Sequence, residues 1–398
     1  MNPNSLTRRT LLRQTFAMGG WALLNPFWRA LAADAAGPLK VKQVRVIELT
    51  DAADPNHKSQ YVEVISESGL VGLGGPIYPE QDFIIAKDLA PVIKGRDAMA
   101  YEALWDAMKL SDRHSRAGLY MMAISAVDIA LWDLRGKHLG RPVYELLGGP
   151  TRSSVPIYGS MLGYDTAPEA ARKTARDFYD RGFTAQKWFF EHAPAAGSDG
   201  FNKNVALVRA LREELGPDAE IMFDCKWAWD VPYAVQFAKA VREFNPKWLE
   251  EPVRSENLDG YTAFKRDGGV PVAGGEHLYS RWEVKQYLDR GLLDYVQTDP
   301  EWCGGITELV KICTMCEVHG VPVIPHGHHI WASLHVVASR SARVCPMAEF
   351  LFHWMPEKQY FQDTIITPDK GRITLPTKPG LGFGIDDSKV ASRREIKG

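Results

Sequence analysis

Three carboxylates recur along this chain at one interval: Asp224, Glu250 and Glu276 stand 26 residues apart in succession. Each closes or follows a short apolar, β-branched run, at residues 220–225, 247–251 and 270–275. An interval of about 25 residues is one strand, one helix and their loops, so residues spaced that way end neighbouring parallel strands and lie side by side. Three ionised carboxylates cannot share a site without a cation. Oxygen ligands with room left for water and substrate suit Mg²⁺, whose hard octahedral shell prefers oxygen. No cysteine or histidine pair joins the set, which argues against zinc. One such carboxylate alone would read more simply as a helix cap; three in register point to a Mg²⁺ site. The series continues with Asp299 at the end of the next run, His326 after the one following, and Glu349 within the last.

The elements that must position these residues are legible as a pattern. Short β-branched runs at 155–158, 185–190, 220–225, 247–251, 270–275, 294–299, 321–325 and 347–351 alternate with helical stretches that include 204–215, 233–244, 282–290 and 308–319. Eight such units predict an α/β fold, a (β/α)₈ TIM barrel, whose sites lie at the C-terminal ends of the strands. Ahead of it, strand signals at 40–50, 61–66 and 69–75 precede a helix at 121–137, which reads as a small α+β domain. The expected division is 38–150 for this domain, 151–357 for the barrel, and 358–398 for a segment that returns to the first domain.

Composition fits an ordinary soluble globular protein. The 398 residues are 45% apolar and 24% charged with a net charge of −2, so neither nucleic acid nor a charged membrane surface is expected as a partner. Cys313 and Cys316 share one face of a helical stretch and are expected to be buried core thiols rather than a redox pair. At the start, Thr7-Arg8-Arg9 precedes an apolar stretch at 15–28 and then Ala30-Leu31-Ala32. This resembles a bacterial twin-arginine signal over residues 1–32, implying export of the folded protein to the periplasm. The apolar stretch is too short, and too interrupted by Gly19, Gly20, Asn25 and Pro26, to span a membrane.

Asp224, Glu250-Glu251-Pro252 and Gly275-Glu276 together resemble the metal-ligand set of the mandelate racemase/muconate lactonising branch of the enolase superfamily. Ala126-Val127-Asp128-Ile129-Ala130-Leu131-Trp132-Asp133, with Leu146-Leu147-Gly148-Gly149, resembles that branch's linker helix. Lys247-Trp248-Leu249-Glu250-Glu251, Gly275-Glu276-His277, Trp302-Cys303-Gly304-Gly305, Pro325-His326-Gly327 and Ala348-Glu349-Phe350-Leu351 narrow the likeness to acid-sugar dehydratases of the L-rhamnonate group. The resemblance implies a modified (β/α)₇β-type barrel under an α+β capping domain, and a homo-oligomer. It also implies Mg²⁺ on Asp224, Glu250 and Glu276, an acid/base His326 partnered by Asp299, and Glu349 bonded to the developing enediolate. The implied reaction removes the proton beside a carboxylate and expels a β-hydroxyl, giving a 2-keto-3-deoxy acid. A metal on both carboxylate oxygens is what makes so weak an acid removable near neutral pH.

Many relatives in that branch end the second barrel strand on K-x-K or K-x-H. Here the run is Lys187-Trp188-Phe189, which keeps the first lysine as a candidate catalytic residue and puts a phenylalanine where the second base would stand. That weakens a racemase or epimerase, which needs a base on each face. Lys226, two residues past Asp224, is either a base in a dry pocket or a partner of solvent and carboxylates. His328 and the capping-domain residue His57 are candidate substrate contacts, and Trp227 a candidate pocket wall. Other functions to weigh are epimerisation or cycloisomerisation of a similar acid, and a periplasmic binding protein without turnover.

Overall fold

The computed structural model describes residues 38–397, and the expected signal at 1–32 lies outside them. Three strands open the described chain: β1 (Val41–Asp51), β2 (Lys58–Ser66) and β3 (Val71–Ile77). They form an antiparallel meander, in which Val46 faces Val62 and Val64 faces Gly72. After helix α1 (Tyr101–Leu110), helix α2 (Gly118–Leu139) is buried on every side from Met121 to Gly136.

Such burial needs close backbone approach on one side and satisfied polar groups on the other. Gly72 and Gly74 supply the first: a Cβ at either would lie 2.1 Å from Ala130 O or 2.4 Å from Ala126 O. Two aspartates of α2 supply the second. Asp133 accepts from Leu73 N at 2.8 Å and Leu381 N at 2.7 Å, and Lys137 lies 2.6 Å away. Asp128 accepts from Thr307 N at 2.9 Å and Thr307 Oγ1 at 2.6 Å. Their carboxylates thus tie α2 to β3, to the C-terminal segment and to the barrel.

The barrel strands are β4 (Ser154–Ser160), β5 (Ala185–Phe189), β6 (Glu220–Asp224), β7 (Leu249–Glu250), β8 (Val272–Gly274), β9 (Tyr295–Val296) and β10 (Ala348–Leu351). They run parallel in the order β10-β4-β5-β6-β7-β8-β9, with helices between them. The run expected at 321–325 makes only one parallel bridge, Val323 to Val296. Pro322 and Pro325 flank it and cannot donate to a ladder, which explains the shortening. Tyr158, Ala185, Met222, Trp248, Ala273 and Ile324 pack together as a separate cluster. Ala185, Met222 and Trp248 each stand two residues before a polar residue of the site, so the alternation of a strand stacks an apolar floor beneath a polar layer. Helix α3 (Gly305–His319) carries Cys313 and Cys316 fully buried. Past the barrel, β11 (Arg372–Thr374) pairs antiparallel with β4, and β12 (Val390–Ile396) joins β1 in the capping sheet. Among the described residues no helix is long and apolar enough to cross a membrane.

Candidate active site

Parallel register brings the carboxylates together. Asp224 ends β6 opposite Glu250 at the end of β7, and Glu276 lies two residues past β8. Ligand oxygens of the three lie within 4.8 Å of one another. Burial raises Glu250 well above the ordinary carboxylate range; Lys187 opposes the shift, and the neighbouring Asp224, Glu349 and Glu276 add to it. Burial likewise takes Glu276 to about 7, against the pull of His326. Glu251, adjoining the set, is raised to about 8 by burial and by Asp224. The cluster is short of positive charge, and its donors are all oxygen, which is the condition a hard divalent cation meets. Asp224, Glu250 and Glu276 would hold Mg²⁺.

Two cationic side chains face this cluster. The Lys187 ammonium, 1% exposed, lies 2.6 Å from Glu250, 3.0 Å from Glu349 and 3.4 Å from Asp224. Burial works against its charge, but Glu250, Glu349, Tyr158 and Asp224 prevail and hold it well above the usual lysine range. His326 is the second. Its Nδ1 lies 2.7 Å from Asp299 Oδ2, and its Nε2 lies 3.4 Å from Glu276 Oε2. A carboxylate at Nδ1 fixes the ring and leaves Nε2 to exchange a proton. Burial would lower His326, yet Glu276, Glu349 and Asp299 together raise it to about 10. A divalent cation on Glu276 would weaken that support and bring the imidazole back toward neutrality. Glu349 accepts from Gly327 N at 3.0 Å. Burial would raise Glu349, but Lys187 and His326 hold it down to about 2. Gly327 is needed there, since a Cβ would lie 2.8 Å from Glu349 O.

Other expected residues are differently engaged. Lys226 is exposed, with φ at 54° and its Nζ 3.2 Å from Glu191. Its Nζ also lies 5.6 Å from the centroid of the Phe189 ring, and β6 ends two residues earlier at Asp224. His57 bridges Asp51 (3.2 Å) and Glu357 (2.7 Å) and packs on Tyr360, a clasp between the first hairpin and the turn after β10. His328 is enclosed: Tyr78 Oη and Lys358 Nζ each lie 2.8 Å from its Nε2, and Glu301 meets its Nδ1. Burial and the nearby Lys358 push His328 down to about 3, so it is a neutral member of the network over the site. Trp227 packs on His277 with ring centroids 4.1 Å apart, and His277 Nδ1 lies 3.2 Å from Glu276.

Sequence reasoning missed the groups that aim Glu250. Gln297 Nε2 donates to Glu250 Oε2 at 2.7 Å, and Trp248 Nε1 donates to the same oxygen at 3.1 Å. Each stands two residues before another site residue, Gln297 before Asp299 and Trp248 before Glu250. Trp302, given no role from the sequence, packs at a tilt against His326, with ring centroids 5.0 Å apart, and against His328 at 5.3 Å.

Comparison with known proteins matches this architecture at both ends of the chain. Residues 43–148 match the mandelate racemase/muconate lactonizing enzyme N-terminal domain, and residues 170–389 match the enolase C-terminal domain-like family. The chain belongs to the enolase superfamily. A curated L-rhamnonate dehydratase from Saccharopolyspora erythraea is 37% identical over 335 residues, covering 82% of each protein. Among solved structures, an enolase superfamily member from Salmonella Typhimurium superposes with a TM-score of 0.82 at 25% identity, over 90% of this chain and 99% of that one. The 3,6-anhydro-D-galactonate cycloisomerase of Zobellia galactanivorans gives a TM-score of 0.76 at 28% identity, over 88% and 97%. The chain is therefore an enolase superfamily enzyme whose relatives act on small molecules, and Mg²⁺ is the metal such enzymes generally use. Its fold is a barrel with a capping domain.

Proposed function

We propose that this enzyme is a Mg²⁺-dependent acid-sugar dehydratase acting on an aldonate of the L-rhamnonate type. The observation that carries the reading is one largely enclosed imidazole, His326 on Asp299, set against a three-carboxylate cluster, with Phe189 rather than a base at the end of β5. When bound, Mg²⁺ would supply the positive charge that stabilises the substrate carboxylate as it gains negative charge. His326 Nε2 takes the proton beside that carboxylate, and Asp299 supports the imidazolium that results. The same imidazolium then gives its proton to the β-hydroxyl, which leaves as water from the same face. Lys187 holds Glu250 and Glu349 in place, and Glu349 faces the charge that develops. The 37% identity to an L-rhamnonate dehydratase supports the substrate class. The likeness to a cycloisomerase supports a second reading, rearrangement without loss of water. Incubating purified protein and Mg²⁺ with an acid-sugar library separates them. The dehydratase reading expects 2-keto-3-deoxy acid from at least one aldonate, and isomerised products without 2-keto acid would overturn it.

We also propose that the chain is exported folded to the periplasm, on Thr7-Arg8-Arg9 with Ala30-Leu31-Ala32. Arg8→Lys with Arg9→Lys should leave the protein in the cytoplasm. Unchanged periplasmic yield would sink this.

A further inference from the structure

Between the capping domain and the barrel rim lies a narrow cavity with about 10 Å³ of room for the centre of a water-sized group. That is space for one oxygen atom and its hydrogens. Tyr78 and Gln81 line it from the capping domain, and Glu301, Trp302 and His328 from the barrel loops. Three of these five polar groups are already engaged. Tyr78 Oη meets His328, and Glu301 meets His328 and His329. The two that remain are Gln81 Oε1 and Trp302 Nε1, which are buried and, among the described residues, have no hydrogen-bond partner. Gln81 is 3% and Trp302 9% exposed, so water outside the protein does not serve them. The side chains of the other walls, Ile77 and Ile129 among them, offer neither donor nor acceptor.

Donor and acceptor arithmetic then selects the guest. Trp302 Nε1 can only donate, which excludes a cation as its partner, and Gln81 Oε1 can only accept, which excludes an anion. A group that accepts one hydrogen bond and donates another satisfies both. We propose that the cavity binds a single hydroxyl oxygen, which accepts from Trp302 Nε1 and donates to Gln81 Oε1. The oxygen comes from a distal hydroxyl of the acid-sugar chain or from a resident water, and the first source rests on the dehydratase reading. Either way the site spans two domains and is complete only with the capping domain seated. Trp302 also packs on His326, with ring centroids 5.0 Å apart. Gln81 is thereby a specificity or positioning residue that touches none of the metal-binding carboxylates.

Two measurements test this on the full chain. The first is a high-resolution crystal structure of the Mg²⁺-loaded protein, alone and with L-rhamnonate. It should show an oxygen within hydrogen-bond distance of both Trp302 Nε1 and Gln81 Oε1, and Gln81→Met should lose it. No oxygen there in either crystal would overturn the site, whether or not the protein proves to be a dehydratase. The second separates the two sources. Calorimetric affinities for L-rhamnonate and its 4-deoxy and 5-deoxy analogues are compared in His326→Asn protein, with and without Gln81→Met. A substrate hydroxyl predicts about a tenfold loss for one analogue that disappears with Gln81→Met. A resident water predicts that the oxygen persists in the ligand-free crystal and that Gln81→Met weakens all three acids alike. An oxygen in the crystal with affinities untouched by Gln81→Met would overturn its part in substrate binding or positioning.

Discussion

His326 and Lys226 put the assignment of the proton-transferring group on two side chains with opposite surroundings. His326 is enclosed among Asp299, Glu276 and Trp302, whereas Lys226 is exposed beside Glu191. His326→Asn should therefore stop both product formation and exchange of the α-proton with deuterated solvent, by at least about 100-fold. Lys226→Met should retain both. Mass spectrometry of recovered substrate reads the exchange, and exchange persisting in His326→Asn would move the base elsewhere. Lys187 makes a different prediction, because it is a buried cation between Glu250 and Glu349. Removing it in Lys187→Met leaves those carboxylates unpaired, at a cost of about 3–5 kcal/mol in the metal-free protein. Saturating Mg²⁺ should recover part of that loss by restoring positive charge to the cluster. Equal destabilisation with and without Mg²⁺ in thermal melts would argue that the cation binds elsewhere. The carboxylates and the His326–Asp299 pair were legible because each closes or directly follows one of the regularly spaced β-branched runs. The surroundings of Lys226 were not: period-two alternation holds only inside a strand, and β6 stops at Asp224.

Elements were legible to the degree that one pattern governed them. The alternation of strands and helices marked the barrel, but the run at 321–325 dissolves into one bridge since two prolines interrupt it. The linker helix α2 was recognisable as a helix, while the reason its two aspartates are tolerated in a fully buried helix was not. Their partners, Thr307, Leu73 and Leu381, are distant in sequence. What fixes the packing of α2 on β3 is the pair of glycines facing it. Gly72→Ala would put a methyl 2.1 Å from Ala130 O, a backbone atom inside a rigid helix. The expected cost is about 1–3 kcal/mol from overpacking. Gly95→Ala, where φ is +76° and nothing lies within 4 Å, should cost only the conformational strain of about 1 kcal/mol. Urea midpoints rank the two, and a Gly72→Ala protein as stable as Gly95→Ala would mean that α2 can shift away from the sheet.

At the scale of the whole molecule, one buried histidine joins three parts of the chain and makes stability respond to acid. His335 lies in α4 (Ile330–Ser339), fully buried, and stacks on Tyr144 with ring centroids 5.5 Å apart. Its Nδ1 accepts from Tyr144 N at 3.1 Å, so Nε2 carries the hydrogen and donates to Leu381 O at 2.8 Å. Barrel helix, linker turn and C-terminal segment meet on one neutral imidazole, and no periodicity in the sequence announces it. Protonation would put a second hydrogen on Nδ1 against the Tyr144 amide. Burial accordingly pushes His335 down to about 4. In the unfolded chain it titrates near the ordinary value of about 6.5. Between these values the unfolded state binds more protons, so stability rises with pH across the window and is lost as pH falls from about 6.5 toward 4. The contribution at stake is about 3 kcal/mol. The raised carboxylates Glu251 and Glu276 act in the opposite direction, so the effect must be read as a difference. His335→Gln keeps a donor for Leu381 O and cannot become charged. It should be less stable than the parent at pH 7 by about 1–2 kcal/mol, for the lost acceptor. The gap should close or reverse by pH 4.5. Urea unfolding of both proteins at half-unit steps measures that gap, and a gap that stays constant with pH would show that His335 takes up its proton equally in both states.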